Sequence, residues 1–121
     1  MDVLGVDVGK RDLHAVLLQN KRAASKSVPN SSAGIAQLQS WLKNRKAERV
    51  HVCLEATGGW SEESQSLLSS YGHLVSIVNP LRIQAFAQSE MLRTQTDRID
   101  AGVIARFRDL HKPEPWTPPA S

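Results

Sequence analysis

The order of hydrophobic periodicities along the chain constrains its fold more than any other feature. Three short apolar or alternating runs, at 3–8, 13–19 and 23–28, precede the first helical pattern and are separated by polar turns. Strand and helix patterns then alternate, which predicts the order β-β-β-α-β-α-β-α-α. A leading antiparallel meander followed by βαβ units predicts an α/β fold with a mixed sheet and helices on both faces.

The later elements have clear boundary signals. A break at Pro29 to Ser32 offers N-cap residues for the first helix, and Gly72 ends the second. The remaining predicted elements are strands at 49–56 and 74–78 and helices at 61–71, 83–91 and 97–110. The proline-rich stretch after residue 112 cannot continue a helix. We therefore expect one domain over residues 1–112 and a linker or tail over 113–121.

Composition places the chain in an ordinary class. At 121 residues with a 40% hydrophobic share, it can form a single core. Its one cysteine, Cys53, lies in an apolar run and is expected to be a buried thiol in a reducing compartment. No apolar run approaches the roughly 20 residues of a membrane span, and no signal-peptide pattern opens the chain. We expect a cytoplasmic protein with no membrane partner.

Two acidic residues stand at the ends of predicted strands. Asp7 follows the first apolar run, and Glu55 follows the run Val52-Cys53-Leu54. In mixed α/β sheets, ligands bind outside the carboxyl ends of the strands near a topological switch point. A turn-forming role for Asp7 and a capping or ion-paired role for Glu55 are the structural alternatives. Their shared position predicts that the two acids are neighbours.

A second pair of acids opens the last helical pattern. Asp97 and Asp100 are three residues apart, so both carboxylates would lie on one face of a helix. The apolar positions of this pattern fall on another face and are Ile99, Val103, Phe107 and Leu110. First-turn acids are also ordinary helix starts, which is the alternative for Asp97. If all four acids converge, their hard oxygen ligands suit Mg²⁺ or Mn²⁺ better than zinc.

The basic residues suggest an anionic partner. The formal net charge is +3, and no acid occurs between Asp12 and Glu48, a stretch that is rich in lysine and arginine. Further arginines run along the C-terminal third beside the paired acids. Cations around an acidic pocket suit a polyanion whose phosphates approach bound metal, although a plain solvated surface is the alternative. Trp41 and Trp60 are expected to be packing residues rather than base-stacking platforms.

Other site classes are not favoured by the sequence. The four histidines and the cysteine form no short-spaced pair of the kind that binds zinc. Gly58-Gly59 matches no complete phosphate-loop pattern, and no serine lies in a nucleophile elbow.

Five motifs occur in an order that resembles a known family. They are Gly5-Val6-Asp7-Val8-Gly9-Lys10, Leu54-Glu55-Ala56-Thr57-Gly58, Asn79-Pro80, Phe86-Ala87-Gln88-Ser89 and Thr96-Asp97-Arg98-Ile99-Asp100-Ala101. Together they resemble the N-terminal domain of DEDD transposases of the insertion-sequence 110 family, which includes the Piv-type DNA invertases. The resemblance spans roughly Val3 to Trp116.

The resemblance implies a RuvC-like, ribonuclease-H-type fold and a catalytic tetrad. The tetrad matches Asp7, Glu55, Asp97 and Asp100, which would coordinate Mg²⁺ for DNA strand cleavage and exchange. The candidate nucleic-acid-binding residues are Lys10, Arg82, Arg93 and Arg98. Gln95 departs from the basic residue that many relatives have before the Thr-Asp step, so one phosphate contact is in doubt.

The resemblance also implies parts that this sequence does not contain. Family members carry a helical region and a C-terminal domain with a nucleophilic serine, assemble as homo-oligomers, and in some cases are directed by a structured guide RNA. We therefore expect a chain truncated before the serine domain and inactive alone in strand joining. Ser89 is the nearest nucleophile candidate within the chain.

Three alternatives remain open from the sequence. One is a RuvC-like structure-specific DNA nuclease that hydrolyses without joining. Another is an actin-like nucleotide-binding domain, since that superfamily also opens with a hairpin like Asp7-Val8-Gly9. The third is a non-catalytic binding module that retains the acids.

Overall fold

The element order is the one that the sequence predicts. The computed structural model describes residues 1–55, 59–94 and 101–117, with residues 90–94 described as backbone only. The elements are β1 (Asp2–Val8), β2 (Asp12–Gln19), β3 (Arg22–Pro29), α1 (Ser32–Asn44), β4 (Val50–Glu55), α2 (Glu62–Ser70), β5 (Leu74–Val78), α3 (Pro80–Thr94) and α4 (Ala101–His111). The predicted first turn of the last helix, residues 97–100, lies outside the described residues.

The sheet is mixed, as expected. Its strand order is β3-β2-β1-β4-β5. Strands β1, β2 and β3 form an antiparallel meander, whereas β4 pairs parallel with both β1 and β5. The central strand β1 therefore separates the antiparallel half from the parallel half.

The two faces of the sheet carry different helices. Leu4 and Val6 of β1 belong to the larger core, which includes Leu38 of α1 and Leu68 of α2. A smaller cluster joins Cys53 of β4 to α3 and α4 and consists of Cys53, Val78, Ile83, Ile104 and Phe107. Because side chains alternate along a strand, Gly5 and Asp7 point to the face that α4 covers.

Local signals explain where the helices begin and end. The Ser31 hydroxyl accepts a hydrogen bond from the Gly34 N–H at 3.1 Å, which caps α1 as predicted. Gly72 follows α2 with a φ of 97°, a left-handed conformation that favours glycine.

One predicted packing position in α4 is wrong. Leu110 was expected on the apolar face, but 64% of its surface is exposed. The helix packs through Ile104 and Phe107, one to two turns earlier, so its last turn extends past the core. No helix in the described ranges is both long and apolar enough to span a membrane.

The proline-rich segment after α4 contacts the sheet. The Trp116 N–H donates to the Val75 carbonyl, and the indole packs against the larger core. The Ser76 hydroxyl lies 3.0 Å from the Pro113 carbonyl oxygen and 2.8 Å from that of Glu114. Residues 113–116 therefore run along the outer edge of β5. The expected division of the chain at residue 112 stays a prediction.

Candidate active site

Asp7 and Glu55 lie side by side at the carboxyl ends of adjacent parallel strands. The register pairs Val6 with Leu54, so the next residue of each strand is one of the two acids. Both side chains are partly buried. They point to the face covered by α4, because each lies two residues beyond a residue on that face, Gly5 or Cys53.

The two carboxylates interact electrostatically. Burial raises the pKa of Glu55 above its ordinary value, and the negative charge of Asp7 raises it further. Two like charges sharing a partly dry site favour a bound proton or cation over two free carboxylates. This pair is therefore the described part of the chain best suited to hold a cation.

Gly5 lets the backbone of α4 approach β1 very closely. A Cβ atom at Gly5 would overlap the Ala101 carbonyl oxygen and the Ala105 amide nitrogen. The first turn of α4 thus lies on β1 two residues before Asp7. No larger residue fits at Gly5 without moving the helix.

The direction of α4 follows from its other end. Arg108, in the last turn, lowers the pKa of His51 by its charge, and His51 pairs with Val3 near the start of β1. The helix therefore runs antiparallel to β1, and its first residue, Ala101, lies towards the Asp7 end. Asp97 and Asp100, which precede Ala101 in the sequence, lie outside the described residues.

The described residues alone do not complete a metal site. Within residues 1–55, 59–94 and 101–117, no three histidine, cysteine or acidic side chains converge in a way that could hold an ion. Asp7 and Glu55 offer two carboxylates, which is half of the predicted tetrad. Their carboxylate oxygens are the kind of ligand that Mg²⁺ and Mn²⁺ prefer.

A tryptophan and a lysine form the rim at this end of the sheet. The Lys10 ammonium lies 5.5 Å from the centre of the Trp60 ring. The Asn30 side-chain amide donates to the carbonyls of Gly9 and Trp60, both at 2.9 Å, and holds the two loops together. Trp60 is 48% exposed and does not pack in the core, whereas Trp41 packs against the larger core. Trp60 precedes α2 in a loop, outside the apolar stripe that buries that helix.

Three further predicted site residues, Arg82, Ser89 and Arg93, lie on α3. The exposed Arg82 guanidinium stacks over the Phe107 ring at 5.2 Å. Ser89, the candidate nucleophile, lines a cleft of about 360 Å³ between α3 and α4 together with Arg82 and Phe107. Arg93 is on α3, but its side chain is not described, and Arg98 lies outside the described residues.

A family comparison identifies the chain's relatives. A model of the DEDD transposases of the insertion-sequence 110 type matches residues 4–121. The chain belongs to this transposase family. Pilin gene-inverting proteins of Moraxella lacunata and Moraxella bovis are each 32% identical to it over 117 residues. These matches cover 95% of this chain and 36% of each relative, so the chain spans about a third of their length.

Solved structures confirm the predicted ribonuclease-H-like fold of this transposase-family chain. Thermus thermophilus RuvC superposes with a TM-score of 0.63 at 17% identity, covering 96% of this chain and 100% of RuvC. RuvC in complex with a Holliday junction substrate gives 0.61, covering 96% and 99%. The fowlpox virus Holliday junction resolvase gives 0.53 at 12% identity, covering 93% and 97%.

Proposed function

We propose that this chain is the RuvC-like catalytic domain of a DNA transposase or recombinase. It would cleave and exchange DNA strands with Mg²⁺ or Mn²⁺ held by Asp7, Glu55, Asp97 and Asp100. The observation that carries the proposal is the placement of Asp7 beside Glu55 under the start of α4. Family membership adds the transposase class and favours it over the actin-like alternative.

Each part of the site has a role in this proposal. Asp7 and Glu55 would provide ligands from the rigid sheet, where α4 packs on Gly5. Asp97 and Asp100, which precede α4 in the sequence, are proposed to complete the site. When bound, the divalent ion supplies activation of the attacking oxygen and charge stabilisation of the leaving oxygen. Burial and the charge of Asp7 both raise the pKa of Glu55, so a bound cation would offset the cost of holding the two carboxylates together.

The DNA would be held mainly through its backbone. Lys10 on the Trp60 ring and Arg82 on the Phe107 ring present cations on exposed surfaces, and Arg93 and Arg98 are proposed to add contacts near the acids. Such contacts position DNA without reading its sequence. A guide RNA and a homo-oligomer of the longer protein are further proposals that depend on the family resemblance alone.

A metal-binding experiment tests the acidic site. In this chain, Mn²⁺ should raise the melting temperature, because an ion that binds only the folded state stabilises it by mass action. Asp7→Asn should remove that rise. Asp109→Asn, which changes an exposed acid in the last turn of α4, is the matched control and should respond as the unmodified chain does. An Asp7→Asn variant with the full metal response would rule out the tetrad assignment.

A structure-specific nuclease is the second candidate. Hydrolysis without joining would use the same four acids and ion but needs no nucleophilic serine, and Ser89 lies in the α3–α4 cleft. The products distinguish the two activities. A longer protein that includes the region present in the relatives should join strands if it is a transposase and should only cut branched DNA if it is a nuclease.

A further inference from the structure

A groove lies at the end of the sheet opposite Asp7. It has a volume of about 820 Å³, and its polar lining includes Asp2, Gln19, Arg22, Arg45 and Lys46. These residues come from the start of β1, the β2–β3 turn and the end of α1. The Gln19 side-chain amide donates to the Asp2 carboxylate and to the Arg45 carbonyl, both at 3.0 Å. This amide therefore ties the turn to the helix end and shapes the groove.

The groove concentrates positive charge from two separate segments. Arg22 comes from the turn, while Arg45 and Lys46 come from the end of α1, and all three are exposed. Asp2 is the only acid among the described lining residues, and its carboxylate already accepts a hydrogen bond from Gln19. The Arg45 guanidinium stacks on the Trp41 ring at 4.8 Å, which limits its freedom and presents its donors at a fixed place.

Lys46 in the groove and Lys21 beside it both have a backbone conformation that is unfavourable for lysine. Lys21, next to Arg22 in the turn, has a φ of 68°, and Lys46 has a φ of 59°. The turn residues Asn20 and Lys21 both have positive φ, a geometry for which Asn-Gly is the preferred pair. Residues held in left-handed conformations cost free energy that glycine would avoid. The chain thus places charged side chains where local conformation alone favours glycine.

We propose that this basic groove, formed by Arg22, Arg45 and Lys46 with Lys21 beside it, binds the phosphodiester backbone of a nucleic acid. Clustered arginine and lysine donors suit phosphates, which carry one negative charge each along the backbone. The inference goes beyond the proposed function, because the groove is separate from the acidic site.

A nucleic-acid segment bound in the groove would lie away from the DNA strand at the acidic site. Asp2 and Asp7 are five residues apart on β1, which is roughly 17 Å along a strand. The groove is also lined by Leu17, which belongs to the core on the α1 face, whereas Asp7 points to the α4 face. A segment bound here would be held away from the reacting phosphate and would anchor nucleic acid to the domain.

Fluorescence anisotropy with a labelled DNA duplex and a labelled RNA hairpin tests the proposal. Lys21→Gly and Lys46→Gly should each weaken binding of at least one probe and lower the salt-dependence slope for the DNA duplex by about 0.9. The same variants should melt at an equal or higher temperature, because glycine relieves the left-handed backbone. Weaker binding with unchanged or higher stability cannot result from damage to the fold.

Lys112→Gly is the matched control. Lys112 also has a positive φ, 45°, but it follows α4 near the β5 edge. Its replacement makes the same charge and backbone change away from the groove and should leave affinity unchanged. Equal losses in all three variants would assign the effect to net charge and overturn the proposal.

Three further results decide the assignment. Unchanged affinity for both probes in Lys21→Gly, Lys46→Gly and the double variant Arg22→Gln with Arg45→Gln would overturn it. Competition by polyglutamate as strong as that by nucleic acid would overturn the phosphodiester assignment. Asp7→Asn should keep groove affinity while losing the Mn²⁺ response, so failure of the groove and failure of the acidic site give different results.

Discussion

Acidification below pH 6.5 should destabilise this chain through the buried imidazole of His51. Only 4% of His51 is exposed, and its Nε2 lies 2.6 Å from the Ser76 hydroxyl. That hydroxyl has one proton, which it donates to the carbonyl of Pro113 or Glu114. The His51 Nε2–H is then the donor to Ser76, which fixes the tautomer of the neutral imidazole.

The direction of the effect follows from proton binding in the two states. Burial, and to a smaller extent the charge of Arg108, lowers the pKa of His51 from 6.5 to about 4. Between those values the unfolded chain binds a proton at this residue and the folded chain does not. The free energy of unfolding therefore falls as the pH is lowered from 6.5 towards 4.

The size of the effect comes from the same shift. One pKa unit corresponds to about 1.4 kcal/mol, so the shift of His51 amounts to roughly 3 kcal/mol of stability once the pH is below about 4. His73 adds to the trend, since burial also lowers its pKa. Glu55 opposes it, because its pKa is raised and its folded form binds a proton more readily than its unfolded form.

Comparison with a variant isolates the contribution of His51. His51→Gln keeps a side-chain donor for Ser76 but removes the titration. Urea unfolding across pH 7 to 4 should then show a shallower loss of stability, with a difference of a few kcal/mol at the acidic end. The contributions of His73 and Glu55 occur in both proteins and cancel in the difference.

A matched control uses a histidine on the surface. His111→Gln, measured in the same way, replaces an exposed imidazole that stacks on the Phe107 ring and separates the loss of a buried histidine from the loss of any histidine. If His51→Gln loses stability with acid as steeply as the unmodified chain, burial of His51 is not the cause of the acid sensitivity.

Three further predictions concern the acidic site. Gly5→Ala should lower the free energy of unfolding by about 1–3 kcal/mol in urea titrations, because its methyl group overlaps the α4 backbone, and should weaken the Mn²⁺-induced rise in melting temperature; an unchanged stability would contradict the close packing. Glu55→Gln should raise the melting temperature in EDTA at neutral pH, since the folded state disfavours the ionised Glu55, and should abolish the Mn²⁺ response; a lower melting temperature in EDTA would contradict the repulsion from Asp7. The chain alone should give no recombinant product with Mg²⁺ and DNA, whereas a longer protein should join strands unless it carries Asp100→Ala; recombination by the short chain would place the chemistry elsewhere.

The sequence by itself determined the elements and the ends of the strands. Hydrophobic periodicity and turn residues are local properties, so they predicted each strand and helix of the described residues, the cap at Ser31 and the stop at Gly72. The rule that acids at adjacent strand ends meet then predicted that Asp7 lies beside Glu55. The sequence also suggested the metal and DNA chemistry through motif order, and the roles of the four acids remain proposals.

Only the tertiary structure decided how distant segments meet. The basic groove combines the β2–β3 turn with the end of α1, and no local pattern indicates that Arg22 and Lys46 line one cavity. The exposure of Trp60, the contact of α4 with Gly5 and the attachment of residues 113–116 to β5 have the same origin. Each depends on which surfaces pack together after the elements form. That packing is determined by the shapes of the surfaces and by the apolar area they bury, which involve residues far apart in the sequence.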